Sequence, residues 1–263
     1  MPTLRIGEAS VHYQDAGSGN DAVLLLHAFP LHSGMWAPQI AALAGRFRVI
    51  APDYRGLGLS RPAPEATTME LVASDVLALL RQLGLRRVAV AGLSMGGYAA
   101  FELYRRAPDV FRGLALCATK ATPDTEEAKA TREHFAENAV AKGLGWVAEE
   151  FGPKLLRTHA DPATYAHVKA LIQGGTAEGV AAAQRGMGLR PDSVPTLSRI
   201  TCPTLVLYGE EDQLIPFAEA QRMGQTVKGA RMVRIPGAGH LVNLENAPAV
   251  TTTLSTFFAT LPT

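Results

Sequence analysis

Ser94 stands in the run Gly92-Leu93-Ser94-Met95-Gly96-Gly97. A serine hydroxyl can serve as a nucleophile when it projects from a sharp turn between a strand and a helix. Such a turn needs small neighbours where strand and helix approach, and the helix start leaves backbone N–H groups free for a developing oxyanion. The glycines two residues to either side meet the first need. A nucleophile of this kind requires a base, and the base an acid that fixes its tautomer, in the chain order Ser, acid, His. His240 closes the loop Pro236-Gly237-Ala238-Gly239-His240 and is, of seven histidines, the one in a glycine-rich loop after a late strand. His27 and His32 flank an early loop and are weaker candidates for the base. Asp212 leads among the acids, from Gly209-Glu210-Glu211-Asp212-Gln213-Leu214-Ile215-Pro216, with Glu210, Glu211 and Asp124 as competitors. Two amides would form the oxyanion hole: that of Met95, directly after the serine, and that of Phe29 in His27-Ala28-Phe29-Pro30, since Pro30 carries no N–H.

The elements that must position these groups follow from apolar patterning. Ala22–Leu26, Phe47–Ala51, Val88–Ala91, Gly113–Cys117, Thr204–Tyr208 and Arg231–Ile235 are strand-sized apolar runs. Helical spacing separates them, over Trp36–Leu43, Thr68–Leu83, Tyr98–Ala107, Phe217–Met223 and Pro248–Phe258. Arg5–Tyr13 reads as part of a hairpin, followed by a turn cluster over Asp15–Asn20. Alternating strands and helices predict a mostly parallel sheet with helices on both faces. Ser94, Asp212 and His240 each follow a strand, and so share the carboxyl edge of the sheet, where open α/β sheets bind ligands. From 123 to 195 no strand is apparent. That stretch, rich in Ala, Glu, Lys and Arg, predicts helices inserted into the sheet topology.

The composition narrows the function classes. With 25 basic and 24 acidic side chains, the net charge is +1, and nothing points to nucleic acid or an anionic membrane surface. No apolar run approaches the roughly 20 residues of a membrane span, and the first residues lack the apolar stretch of a signal peptide. The expected location is cytoplasmic, with Cys117 and Cys202 as unpaired thiols. A homo-oligomer is compatible with the sequence. No nucleotide-binding glycine motif and no metal-ligand spacing occurs, so neither a cofactor nor a metal is expected. Arg132, Arg157, Arg185 and Arg190 read mainly as solvated faces, although one of them could hold a substrate carboxylate.

Taken together, His27–Pro30, Asp53–Ser60, Gly92–Gly97, Gly209–Pro216 and Gly237–His240 resemble the α/β-hydrolase superfamily, in particular small carboxylesterases, enol-lactonases and cofactor-free haloperoxidase-type perhydrolases. The chain departs from the family at Ala28, where glycine is common. Asp53–Ser60 is similar to a structural turn of the family. The resemblance implies an α/β-hydrolase fold with a core over 1–122 and 196–263 and a helical lid over 123–195. It implies serine-dependent hydrolysis of a small ester through an acyl-enzyme, with lactonase, perhydrolase or carbon–carbon hydrolase chemistry as alternatives on the same residues. A ligand-binding receptor on a hydrolase scaffold is the non-enzymatic alternative. Haloalkane dehalogenases and epoxide hydrolases of the family use aspartate where Ser94 stands, which argues against both. Trp36, Trp146, Ile215 and Leu241 are the candidates for the substrate pocket.

Overall fold

The continuous apolar runs become the middle of one eight-stranded sheet in the computed structural model, which describes residues 2–262. The strands are β1 Thr3–Ile6, β2 Ala9–Ala16, β3 Ala22–Leu26, β4 Arg48–Pro52, β5 Val88–Leu93, β6 Phe111–Cys117, β7 Thr204–Gly209 and β8 Arg231–Ile235. Their spatial order is β1-β2-β4-β3-β5-β6-β7-β8. Pairing from β4 through β8 is parallel, while β1/β2 and β2/β4 are antiparallel. Every residue of β3, β5 and β6 is buried, as expected of parallel strands covered on both faces. The edge strand β8 is largely exposed and carries Arg231 and Arg234, charges that discourage pairing with another edge.

The helices are α1 Ala37–Leu43, α2 Met69–Gln82, α3 Met95–Arg106, α4 Glu126–Phe151, α5 Pro162–Gln173, α6 Ala177–Gly188, α7 Val194–Leu197, α8 Phe217–Thr226, α9 Val242–Glu245 and α10 Ala247–Ala259. Thr68 caps α2 by accepting the Leu71 N–H at 3.1 Å. Helices α4–α7 all lie between β6 and β7. They are stitched to the loop after β4: the Thr176 amide and hydroxyl both donate to the Gly56 carbonyl, at 3.1 and 3.0 Å, and the Thr67 amide donates to Ala182 O at 2.8 Å. No helix of the described residues is long and apolar enough to cross a membrane.

Strand β3 lies between β4 and β5, so the chain leaves it in opposite senses on its two sides. This reversal opens a crevice at the carboxyl ends of β3 and β5. Several boundaries shift from the sequence expectation, and two of the shifts have a clear physical reason. Strand β2 runs on to Ala16 through the expected turn, because Asp15 pairs with Ile50 and its carboxylate takes two bonds from Arg48, at 3.0 and 2.8 Å. Helix α3 starts at Met95, three residues earlier than its apolar pattern indicates, because Gly96 and Gly97 carry no periodic signal. Cys117, buried at the end of β6, and the part-buried Cys202 are both free thiols.

Candidate active site

Ser94 joins β5 directly to α3 with φ 55° and ψ −113°, a left-handed conformation that costs a non-glycine residue strain. The Ser94 amide donates to Cys117 O at 2.9 Å, and the Thr119 hydroxyl donates to Ser94 O at 2.8 Å, so the end of β6 clamps the turn. The flanking glycines are needed for close approach. A Cβ at Gly92 would collide with Gly96 O, and one at Gly96 with Leu26 O of β3. The serine is thereby held at the crevice with its side chain on a cavity of about 480 Å³.

His240 lies on the same cavity wall and is almost fully buried. Its Nδ1 donates to Asp212, with Oδ2 at 3.0 Å and Oδ1 at 3.2 Å. Asp212 sits three residues beyond the end of β7, and its Oδ1 also accepts the amides of Leu214 and Ile215, at 2.8 and 3.0 Å. Burial works against ionisation of this carboxyl. The adjacent His240 and the two amides outweigh it and hold the group below the usual carboxylate range. Among the described residues no hydrogen bond joins Ser94 Oγ to the ring; the two groups share the cavity. The competing acids are engaged elsewhere. Glu210 pairs with Arg234 at 3.0 Å, and Asp124 lies within a cluster of Lys120, Arg132 and Arg190.

The Met95 amide opens α3 and therefore has no partner within the helix. The Phe29 amide follows β3 in the loop where Ala28 N contacts Met35 Sδ at 3.2 Å and Leu31 N donates to Ala28 O at 3.0 Å. Neither the Met95 nor the Phe29 amide donates to a protein acceptor among the described residues. Ala28, where the family commonly has glycine, is fully buried.

Of the expected pocket residues, Ile215 lies on the cavity wall beside Phe29, Phe135 and Phe151. Three expectations are corrected. Trp36 and Leu241 are wholly buried in the core and do not line the cavity. Trp36 immediately precedes α1, which packs against α10, and Leu241 is drawn inward by its amide bond to Leu155 O at 3.0 Å. Trp146 also lies off the wall, behind Phe135 with ring centroids 5.0 Å apart. The solvated reading is corrected for two of the four arginines, because Arg190 is buried and Arg132 borders the cavity, while Arg157 and Arg185 remain part-exposed.

Two positioning groups escaped the sequence reading. His27 is fully buried, donates from Nδ1 to Ala28 O and accepts the Tyr54 amide on Nε2, both at 3.0 Å. Burial pushes its pKa down to about 4, so the ring is a neutral brace between the β3 and β4 loops rather than a base. Glu245 accepts the Gly239 amide on one oxygen, at 2.8 Å, and the Arg157 amide on the other, at 2.9 Å. Neither had a local signal, since each braces a backbone group distant in sequence, Tyr54 for His27 and Arg157 for Glu245. Asp53, by contrast, lies in the turn given no chemistry. It accepts His12 Nδ1 and the Ser33 amide, each at 2.8 Å, and the Leu59 amide at 2.9 Å.

The chain is 39% identical to a thermophilic esterase from Thermogutta terrifontis, solved with malate bound, at a TM-score of 0.95 and with 98% of each chain covered. It is 31% identical to the enol-lactonase from Burkholderia xenovorans LB400, at a TM-score of 0.89, covering 98% of this chain and 100% of that one. It is also 30% identical to haloalkane dehalogenase 2 of Mycobacterium tuberculosis, over 90% of this chain and 87% of the relative. The family described as the alpha/beta hydrolase fold matches residues 21–247. The chain therefore belongs to the α/β-hydrolase family, as an eight-stranded member of it.

Proposed function

We propose that the protein is a serine hydrolase that cleaves a small carboxylic ester through an acyl-enzyme, with Ser94, His240 and Asp212 as its triad. The observation that carries this reading is Ser94 held in a strained turn on the same cavity wall as His240, whose Nδ1 is bonded to Asp212. His240 Nε2 takes the Ser94 hydroxyl proton as Oγ attacks the ester carbonyl. The Met95 and Phe29 amides hold the oxyanion. His240 returns the proton to the leaving alcohol; water, deprotonated by the same ring, then hydrolyses the acyl-enzyme. Asp212 keeps the proton on Nδ1 and stabilises the imidazolium. Helices α4–α7 serve as the lid, contributing Phe135 and Phe151 to the cavity.

A lactone is opened by the same steps, with the leaving alcohol still attached to the acyl group. The likeness to an enol-lactonase favours keeping that substrate class beside simple esters. The resemblance to a haloalkane dehalogenase does not carry over, because a serine occupies the nucleophile turn. The test is turnover of 4-nitrophenyl butyrate together with labelling by a fluorophosphonate probe. Ser94→Ala should abolish labelling and cut turnover by about 10⁴-fold. Retention of either at wild-type level would overturn the assignment.

A further inference from the structure

The cavity beside Ser94 carries an unbalanced set of cations. Asp124 is buried, and Arg190 grips it in a bidentate pair, Nη1 to Oδ2 at 2.7 Å and Nη2 to Oδ1 at 2.8 Å. Burial alone would raise the Asp124 pKa, but Arg190 and Arg132 hold the carboxyl well below the usual carboxylate range. That pair is complete in itself: Arg190 also donates to the carbonyls of Met187 and Thr122 and stacks over the Tyr98 ring at 4.2 Å. Glu219, on α8, is the other carboxylate whose charge acts on Arg190, and it lies 4.0 Å from Arg222 Nε.

Two further cations nevertheless converge on Asp124. Arg132, from α4, donates through Nε to Asp124 and through Nη1 to Gln184 Oε1 at 2.7 Å, which leaves Nη2 without a partner among the described residues. Lys120 makes one 3.3 Å contact with Asp124, which leaves two of its three N–H groups without a partner among the described residues. Both side chains line the cavity of Ser94 and are only about a fifth exposed, Arg132 at 20% and Lys120 at 23%. Lys120 directly follows Thr119, whose hydroxyl is bonded to Ser94 O. The remaining charges on the wall do not balance them. Lys154 pairs with Glu150, and Glu127 forms no ion pair with either cation among the described residues. Part-buried cations that share one already satisfied carboxylate favour a further anion, and guanidinium and ammonium donors match a carboxylate.

We propose that Lys120 and Arg132 form a carboxylate-binding subsite beside Ser94, and that the substrate is an ester or lactone bearing a free carboxylate. The inference rests on Ser94 being the acylated nucleophile. The carboxylate can sit on the acyl or on the alcohol part, and paired substrates separate the two. Phenyl hemisuccinate is compared with phenyl 4-methylpentanoate for the acyl side, and 3-butyryloxybenzoate with phenyl butyrate for the alcohol side. In at least one pair the wild type should show kcat/KM about tenfold or more higher for the charged ester. Lys120→Met and Arg132→Met should each lower that ratio about tenfold, and Lys120→Arg should restore most of it. Because the ratio is taken within each variant, partial loss of folded protein does not imitate the effect. In parallel, glutarate should slow fluorophosphonate labelling of the wild type more than of Lys120→Met. Turnover of the neutral esters with a ratio near one in both pairs would overturn the subsite and leave the serine-hydrolase reading standing. Labelling that glutarate does not slow would also overturn the subsite. A chain that is neither labelled nor active would instead sink the reading of Ser94 itself.

Discussion

A single buried ring ties the loop behind the nucleophile to the rest of the sheet. His27 sits neutral between Ala28 O and the Tyr54 amide and stacks on the Tyr54 ring at 3.9 Å. Unfolded, a histidine binds its proton near 6.5; folded, this one does so only near 4. Its contribution is therefore complete above pH 6.5 and is lost as the pH falls toward 4, by about 3 kcal/mol over that window. Urea unfolding of wild type and His27→Asn across pH 4–7 measures this. The stability advantage of the wild type at pH 7 should shrink toward pH 4, and an advantage that stays constant would sink the account. Legibility differs sharply at this scale. Ser94 and His240 sit in glycine-rich turns and Asp212 in a short loop, each just after a strand-sized run, so residue type and local pattern point the same way. His27 offers no such pattern, because its partner amide lies 27 residues away and becomes adjacent only when β3 and β4 pair. Arg190 was misread for a related reason: a charge in a polar helical stretch reads as solvated until its buried carboxylate partner, 66 residues distant, is known.

Between elements, the decisive distances are those at which α3 meets the sheet. Leu26 O of β3 leaves no space for a side chain at Gly96. Gly96→Ala must therefore push α3 away from β3 or twist the Ser94 turn, and overpacking of this kind costs about 1–3 kcal/mol. Calorimetry should register a Tm lower by several degrees, with loss of ester turnover as the turn moves. Gly145, within α4, is the contrast: among the described residues nothing beyond the helix's own backbone and its chain neighbours lies within 4 Å of its Cβ position, so Gly145→Ala should stabilise by about 0.5–1 kcal/mol through helix propensity alone. Equal effects at the two glycines would show that close approach is not what the nucleophile turn requires. The core elements were legible because both periods are strong there: β3 is five consecutive apolar residues, and α2 alternates its buried positions every three to four. The insertion was legible only as helical. Its long helix α4 is bent by Gly143 at φ 78°, and the packing of α6 against the loops at Gly56 and Thr67 depends on glycines that approach backbone from another element.

Across the whole molecule, the proposed lid is fastened at its return point to both loops that carry the proposed base and acid. Leu241, next to His240, donates its amide to Leu155 O, and Gln213, next to Asp212, donates to Leu156 O at 3.3 Å. Glu245 completes the fastening, with one carboxylate oxygen on the Gly239 amide and the other on the Arg157 amide. Its side chain is only 3% exposed, so neither bond can be exchanged for water without opening the structure. Glu245→Gln keeps the shape but offers one oxygen and one NH₂ to two N–H donors, so one amide must lose its acceptor. A hydrogen bond to a charged group contributes about 1.5–3 kcal/mol, and leaving the donor buried adds to the loss. The cost should appear locally. Amide exchange at Gly239 and Arg157 should quicken, while β5 and β6 keep their protection, because the sheet's ladder does not pass through this bracket. Ester turnover should fall together with that local protection, since Gly239 sets the path of the chain into His240. If exchange rises uniformly across β5, β6 and the bracket, Glu245 contributes only to global stability. If Gly239 and Arg157 remain protected, the carboxylate is not what couples the insertion to the His240 loop.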